Sequence, residues 1–294
     1  MINKYDFTLS APDIFKVFSA KDLIFLYWIC PQVDKHLKLF NHYNELVFTL
    51  TGKKTMHHNG KAYPVTDEQS VFIKKTAYTT EKHEMVGWET LAFFFQDAFL
   101  RQVYNEYREY LPLKNLPAPP KEMFIPINVN ETMRAFCYSI VPYFKQKVPP
   151  SESLLELKFK EIIFVILSNP ENAGLLSYVH SIVDQQKTPI WEVMEANYMF
   201  NLTIEEFARI AGRSVASFKR EFNEYYGTSP GKWLTHKRLE QARLHLVTSK
   251  KTIGEIIYDT GFENISHFSR IFKENYGLSP QQYRQNNPVM SMAQ

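Results

Sequence analysis

The stretch FKREFNEYYGTSP at 218–230 returns about fifty residues later as FSRIFKENYGLSP at 268–280. Phe, Arg, Phe, Glu, Tyr, Gly, Ser and Pro hold matching places in both. The echo reaches upstream, where TIEEFARIAG (203–212) matches TIGEIIYDTG (252–261). A chain that repeats a piece this way folds it twice, so its C-terminal end is a tandem of one supersecondary unit.

Each copy begins Thr-Ile-x-Glu, the pattern of a capping box in which the Thr side chain and the Glu carboxylate satisfy each other's backbone N–H groups. In the first copy Leu202 and Phe207 are spaced for a hydrophobic staple; the second has Lys251 at that place. Gly212 and Gly261 suit the left-handed position that ends a helix. Ser214 and Asn264 then stand as the caps of a second helix. In those second helices Phe218, Phe222 and Tyr226, and Phe268, Phe272 and Tyr276, recur every four residues and form a buried stripe. Gly-x-Ser-Pro closes each copy and starts the next helix with Pro at a favoured first position. A short capped helix, a tight turn and a second helix with one buried stripe make a helix-turn-helix. A solenoid needs three or more stacked units of one period, and here there are two.

The faces opposite the stripes carry Ala216, Lys219, Arg220 and Asn223 in the first copy, and Ser266, His267, Arg270 and Lys273 in the second. None of the eight is acidic, whereas an ordinary solvated face mixes signs. Small or polar groups near the helix start, with Arg one turn on, suit insertion into a DNA major groove. Between the copies, PGKWLTHKRLEQARLHLVT (230–248) reads as one helix with Trp233, Leu234, Leu239, Ala242 and Leu246 inward. Nineteen residues at 1.5 Å give about 28 Å, so the two second helices are spaced to enter successive major-groove faces about 34 Å apart.

Overall charge does not carry this reading. Residues 190–294 hold 13 Lys and Arg against 11 Asp and Glu, and residues 1–189 hold 21 against 20. What matters is where the charges lie.

The N-terminal part is built differently. Over 5–95, short runs rich in Phe, Val, Ile, Tyr and Thr alternate with turns, and Asn59-Gly60 marks a tight hairpin. A small antiparallel sandwich or barrel is expected. Helical patterns follow at 97–111, 131–146, 152–168 and 175–186, with a loop at 112–121 and a linker at 185–189. The expected organisation is a β-rich region 1–120, a helical region 121–186, and an all-α region 190–288 with two helix-turn-helix units joined by a long helix. The fold class is α+β. In the 152–168 helix, Leu154, Leu155, Leu157, Phe159, Ile162, Ile163 and Ile166 make a wide apolar face, suited to a dimer interface or to an interdomain core.

The start MINKYDFTLSAPDIF has no continuous apolar stretch, and LIFLYWIC and EIIFVIL are too short to span a bilayer. A cytoplasmic protein without a membrane partner is expected. Cys30 and Cys137 match no metal or redox spacing and read as buried thiols. The segment 73–84, IKKTAYTTEKHE, reads as the lining of a pocket for an anionic or polar ligand or as a solvated loop.

The C-terminal hundred residues, and GFENISHFSRIFKENYGLSPQQYR (261–284) above all, resemble the DNA-binding domain of AraC/XylS-type bacterial transcription regulators. That resemblance implies base contacts from Ala216, Lys219, Arg220, Ser266, His267 and Arg270, and phosphate contacts from Ser214, Asn264 and Lys273. It also implies double-stranded DNA and RNA polymerase as partners, activation of transcription, a homodimer, and an N-terminal cupin-like domain sensing a small-molecule effector or a regulatory protein. A cupin-type metalloenzyme fused to a helical domain is the alternative, with His36, His42, His57 and His58 inviting it. Their spacing differs from the His-x-His…Glu pattern of such barrels, and adjacent strand residues face opposite ways, so neither a metal nor another cofactor is expected. A DNA-repair alkyl acceptor with the same module needs a cluster of zinc-bound cysteines, which two distant cysteines do not supply.

Overall fold

Runs of β-branched and aromatic residues between turns build the N-terminal strands, and capped 3.6-residue periodicity builds the C-terminal helices. The structure, a computed structural model, describes residues 1–30, 34–83, 87–146, 148–183 and 188–287. The chain divides into two compact units, Met1–Thr188 and Pro189–Gln294. Residues 185–187 of the expected linker lie outside the described residues.

The first unit holds β1 (Ile2–Asn3), α1 (Lys4–Ser10), β2 (Lys16–Ala20), β3 (Leu23–Ile29), β4 (His36–Phe40), β5 (Asn44–Thr51), β6 (Lys54–His58), β7 (Lys61–Val65), β8 (Gln69–Ile73), β9 (Ala77–Lys82) and β10 (Glu89–Phe95). It continues with α2 (Asp97–Tyr107), β11 (Phe124–Asn128), α3 (Glu131–Ile140), α4 (Glu152–Ser168) and α5 (Ala173–Ile182). Among the described residues the strands form a five-stranded sheet, order β1-β4-β9-β6-β7, and a six-stranded sheet, order β11-β8-β5-β10-β3-β2. The Asn59-Gly60 turn closes the β6–β7 hairpin with φ of 47° and 76°, the doubly positive geometry such a turn needs.

The core of this unit gathers Phe25, Phe93, Phe95 and Phe99 around Phe159 of α4, with ring centroids 4.9–5.4 Å from it. Edge-to-face pairs of this kind add about 0.5–1.5 kcal/mol each beyond simple burial. Most of the apolar face of α4 is therefore packed inside its own unit. Its inward set is Leu155, Phe159, Ile162, Ile163, Ile166 and Leu167; Leu157, read from the sequence as part of that face, is exposed.

Three local readings are corrected. Residues 5–10 belong to α1 and not to a strand, because the Asn3 side chain caps the helix by accepting from the Asp6 N–H. Lys4 of this helix reaches a fully buried Glu45, which also accepts from Asn41 Nδ2 at 2.8 Å and Tyr78 Oη at 3.0 Å. The 131–146 helix stops at Ile140 and tightens into a 3₁₀ turn, Val141–Lys145, where Pro142 removes a donor. Strand β11 has no counterpart in the expected elements, since Pro126 interrupts its pattern. It lies at the sheet edge, paired only with β8, where a missing N–H is tolerated.

The second unit is α6 (Ile190–Asn197), α7 (Ile204–Ile210), α8 (Val215–Tyr226), α9 (Pro230–Thr248), α10 (Ile253–Asp259), α11 (Ile265–Tyr276) and α12 (Pro280–Asn286). Trp233, Leu234, Leu239, Ala242 and Leu246 of α9 are all buried, the set its periodicity marked. Among the described residues no single helix is long and apolar enough to cross a membrane.

Candidate nucleic-acid interface

The two helix-turn-helix units are α7–α8 and α10–α11, and each is assembled by the same local bonds. Thr203 Oγ1 accepts from the Glu206 N–H at 3.2 Å while Glu206 Oε2 accepts from the Thr203 N–H at 2.7 Å. In the second copy Thr252 and Glu255 repeat the exchange at 3.2 and 2.6 Å. Leu202 and Phe207, the expected staple pair, are both buried. Beyond each first helix the backbone closes with a six-to-one bond, Arg213 N–H to Ala208 O at 2.9 Å and Phe262 N–H to Ile257 O at 3.0 Å.

The second helices then start on their expected caps. Ser214 Oγ accepts from the Ser217 N–H at 3.3 Å, and Asn264 Oδ1 from the His267 N–H at 2.8 Å. Both caps use an acceptor for this, so the cap bond consumes neither the Ser214 hydroxyl proton nor the Asn264 amide protons. Phe218, Phe222, Phe268 and Phe272 are fully buried; Tyr226 stacks on Phe222 at 4.5 Å, and Tyr276 packs at a tilt on Phe272 at 4.6 Å.

Opposite these stripes, Ala216, Lys219, Arg220, Asn223, Ser266, His267, Arg270 and Lys273 are all exposed. The fold thus presents each group of four on the solvent side of one helix. The resulting faces are not equally free. Arg270 Nη1 donates to Glu274 Oε1 at 2.7 Å, with both side chains exposed. No acidic partner holds Lys219, Arg220 or Lys273 among the described residues. Glu274 was missed in the sequence, although its place four residues after an arginine is the ordinary spacing of a helical ion pair.

A second network escaped the sequence reading. In the first copy Arg213 Nε donates to Glu221 Oε2 at 2.7 Å, Ser217 Oγ donates to Glu221 Oε1 at 2.8 Å, and Arg213 Nη1 donates to Ala211 O at 2.6 Å. This clamp ties α8 to its turn and draws Ser217 away from the outward face. The second copy, with a turn one residue longer, has Phe262, His267 and Ile271 at those places. Phe262 packs on Phe268 at 5.0 Å and Ile271 is buried, so His267 is released outward.

Arg238 of α9 joins the parts of this unit. Its Nε donates to Tyr198 O at 2.6 Å and its Nη2 to Phe200 O at 2.7 Å, satisfying carbonyls beyond the end of α6. Burial pulls its pKa down to about 10, which still leaves the guanidinium charged at neutral pH. Gly261 sits against it with φ +81°; a Cβ there would lie 2.8 Å from Met199 O and 3.1 Å from Arg238 Nε.

In the first unit the groups that invited a ligand reading are mostly engaged with each other. Lys75 pairs with Asp97 at 2.5 Å, and Lys74 donates to Pro120 O at 2.8 Å over the Tyr178 ring. The 73–84 segment is therefore largely strand and internal ion pair; its last residue, Glu84, lies outside the described residues. Lys82 and His83 do line a cavity of about 230 Å³, with Cys30, Lys53, Lys54, Gly87 and Trp88. Cys137 is buried as expected, but Cys30 is only half-buried and takes a hydrogen bond from Lys54 Nζ at 3.0 Å. His57 is bonded to Glu81 at 2.8 Å, His58 is buried on the opposite face, and His36 is exposed. Among the described residues no group of three or more His, Cys, Asp or Glu is arranged to hold a metal ion.

Comparison with known proteins agrees with this division. Residues 207–286 match a helix-turn-helix domain family, and residues 44–178 match the ExsA N-terminal regulatory domain family. The virulence regulon transcriptional activator VirF of Yersinia enterocolitica is 23% identical over 271 residues, covering 90% of this chain and 97% of that one. The transcriptional regulator ExsA of Pseudomonas aeruginosa is 20% identical over 273 residues, covering 92% and 95%. Among solved structures, ToxT from Vibrio cholerae aligns over 91% of this chain and 100% of that one, with 15% identity and a TM-score of 0.42. VirF and ExsA are transcription regulators and not enzymes. With two capped helix-turn-helix units joined by α9 and both domain families matched, the chain belongs to the AraC/XylS-type bacterial transcription regulators.

Proposed function

We propose that α8 and α11 enter successive major-groove faces of one DNA duplex and read sequence there. Ala216, Lys219 and Arg220 read from the first helix; Ser266, His267 and Arg270 read from the second. Lys273, with the spare donor protons of Ser214 and Asn264, grips phosphate oxygens beside the groove. The observation that carries this is the pair of exposed sets of four, none of the eight residues acidic, each held in place by a buried aromatic stripe and a capped helix start. Two units in tandem on one chain give a non-palindromic half-site, so a homodimer binds direct or inverted repeats.

On this reading the chain works in the cytoplasm and activates transcription, with RNA polymerase as its second partner. The name of the Yersinia relative, an activator, supports that direction. The first unit is the regulatory one and responds to a small-molecule effector or a regulatory protein. The half-buried cavity beside Lys54 and Trp88 is a place in that unit from which a small molecule could act.

The test is selection from a random duplex library with the full chain, followed by salt titrations on the enriched site. A preferred sequence should emerge whose affinity falls steeply with salt. Lys273→Ala should weaken binding to preferred and random duplexes alike and reduce the salt slope by about 1. Failure to enrich any sequence, or a Lys273→Ala loss confined to one base position, would contradict the assignment.

A further inference from the structure

We infer that Ile265 reads the 5-methyl group of a thymine in the major groove, adding an apolar contact beside Ser266, His267 and Arg270. The inference rests on the reading of α11 as a base-reading helix and extends it to a residue that neither the motif nor the buried stripe points to.

Ile265 is the first residue of α11 and is 60% exposed. It has no part in the buried stripe, which Phe268, Ile271 and Phe272 supply. Nor is it there for the helix. A β-branched residue is a poor helix former, and the first turn favours Pro or an acidic side chain instead. A lone exposed apolar residue is ordinary on a protein surface. This one stands in the turn whose side chains meet base edges in a helix-turn-helix. The Asn264 cap on the His267 N–H fixes the direction in which that turn projects.

The major groove offers little apolar chemistry: of the four bases only thymine places a methyl group there. A branched aliphatic side chain flanked by a serine and a histidine is therefore matched to a thymine more than to any polar base edge. The contact belongs to the second copy. Val215 holds the same place in α8 but is half-buried, and the outward apolar group there is the single methyl of Ala216.

Deoxyuridine differs from thymidine only in lacking this methyl, so it isolates the contact. The full chain would first be used to select its preferred duplex, and each thymine of that duplex would then be replaced singly by deoxyuridine. One thymine should show a loss of roughly fourfold, the worth of about one buried methyl. Ile265→Ala should bind the thymine duplex as weakly as the unaltered chain binds the deoxyuridine one, and should be indifferent to the replacement. No affected thymine, or an equal loss with Ile265→Ala, overturns the inference. Should Ile265→Ala fail to fold, the scan with the unaltered chain still decides, since an absence of any affected thymine is sufficient against it. A library that yields no preferred sequence overturns the base-reading proposal itself, and this inference with it.

Discussion

The two helix-turn-helix units use one backbone plan and hold it by different chemistry. The first closes its turn with ions: Arg213, with a side chain only 8% exposed, is clamped by Glu221, and Ser217 joins them. The second closes with Phe262 and Ile271 packed on the aromatic stripe. One consequence is seen on the outer face. The ionic clamp takes Ser217 out of circulation, whereas the apolar one frees His267. How a turn is fastened thus decides how many side chains its recognition helix can offer.

The sharpest way to break the comparison is at the turn glycines. Both have positive φ, but Gly212 has open space where a Cβ would go and Gly261 meets a backbone carbonyl. Gly212→Ala should cost about 1–2 kcal/mol, the price of the left-handed conformation alone. Gly261→Ala should cost about 3 kcal/mol or more, since Met199 O or Arg238 must also shift. Urea denaturation with amide exchange reporting the α10–α12 segment measures the difference. Equal costs would mean that the second turn is no more constrained than the first.

Next come the clamps themselves. Ile271→Ala should destabilise the second unit by about 2–4 kcal/mol, independent of salt. Glu221→Ala leaves a nearly buried guanidinium without its carboxylate and should cost about 1–3 kcal/mol, a loss that shrinks at high ionic strength. A salt-insensitive Glu221→Ala would show that the clamp acts through packing and not charge.

Much of this was legible in the residues. Thr-Ile-x-Glu, the Phe/Phe/Tyr stripes and Ser-Pro each act within a turn or two of helix, so α7 to α12 follow from local spacing. The outward set follows from the same periodicity. The clamp, Arg238 and Gly261 were not legible, because they depend on which turn meets which helix end. The first unit was readable only as a class. Strand β11 hid behind Pro126, and the apolar excess of α4 could not be assigned until Phe159 was seen inside the ring cluster of the six-stranded sheet and α2.

Smaller effects sharpen the comparison on DNA. Arg270→Ala should lower affinity for the selected site by about 1–3 kcal/mol if it reads a guanine edge. Glu274→Ala should act in the opposite direction, tightening binding by about 0.5 kcal/mol or less, because it frees Arg270 and removes a carboxylate near phosphates. The first copy keeps a glutamate at the matching place, Glu224, but among the described residues no ion pair joins it to Arg220. Titrations that show Glu274→Ala weakening binding would mean the pair orients Arg270 for its contact instead of competing with it.

The central claim is that one chain reads DNA with both copies. Missing-nucleoside interference on the selected duplex, with a single chain bound, tests it most directly. The account predicts two clusters of interfering positions whose centres lie about 10–10.5 base pairs apart. A single cluster, or a second one that needs a second chain, would contradict it.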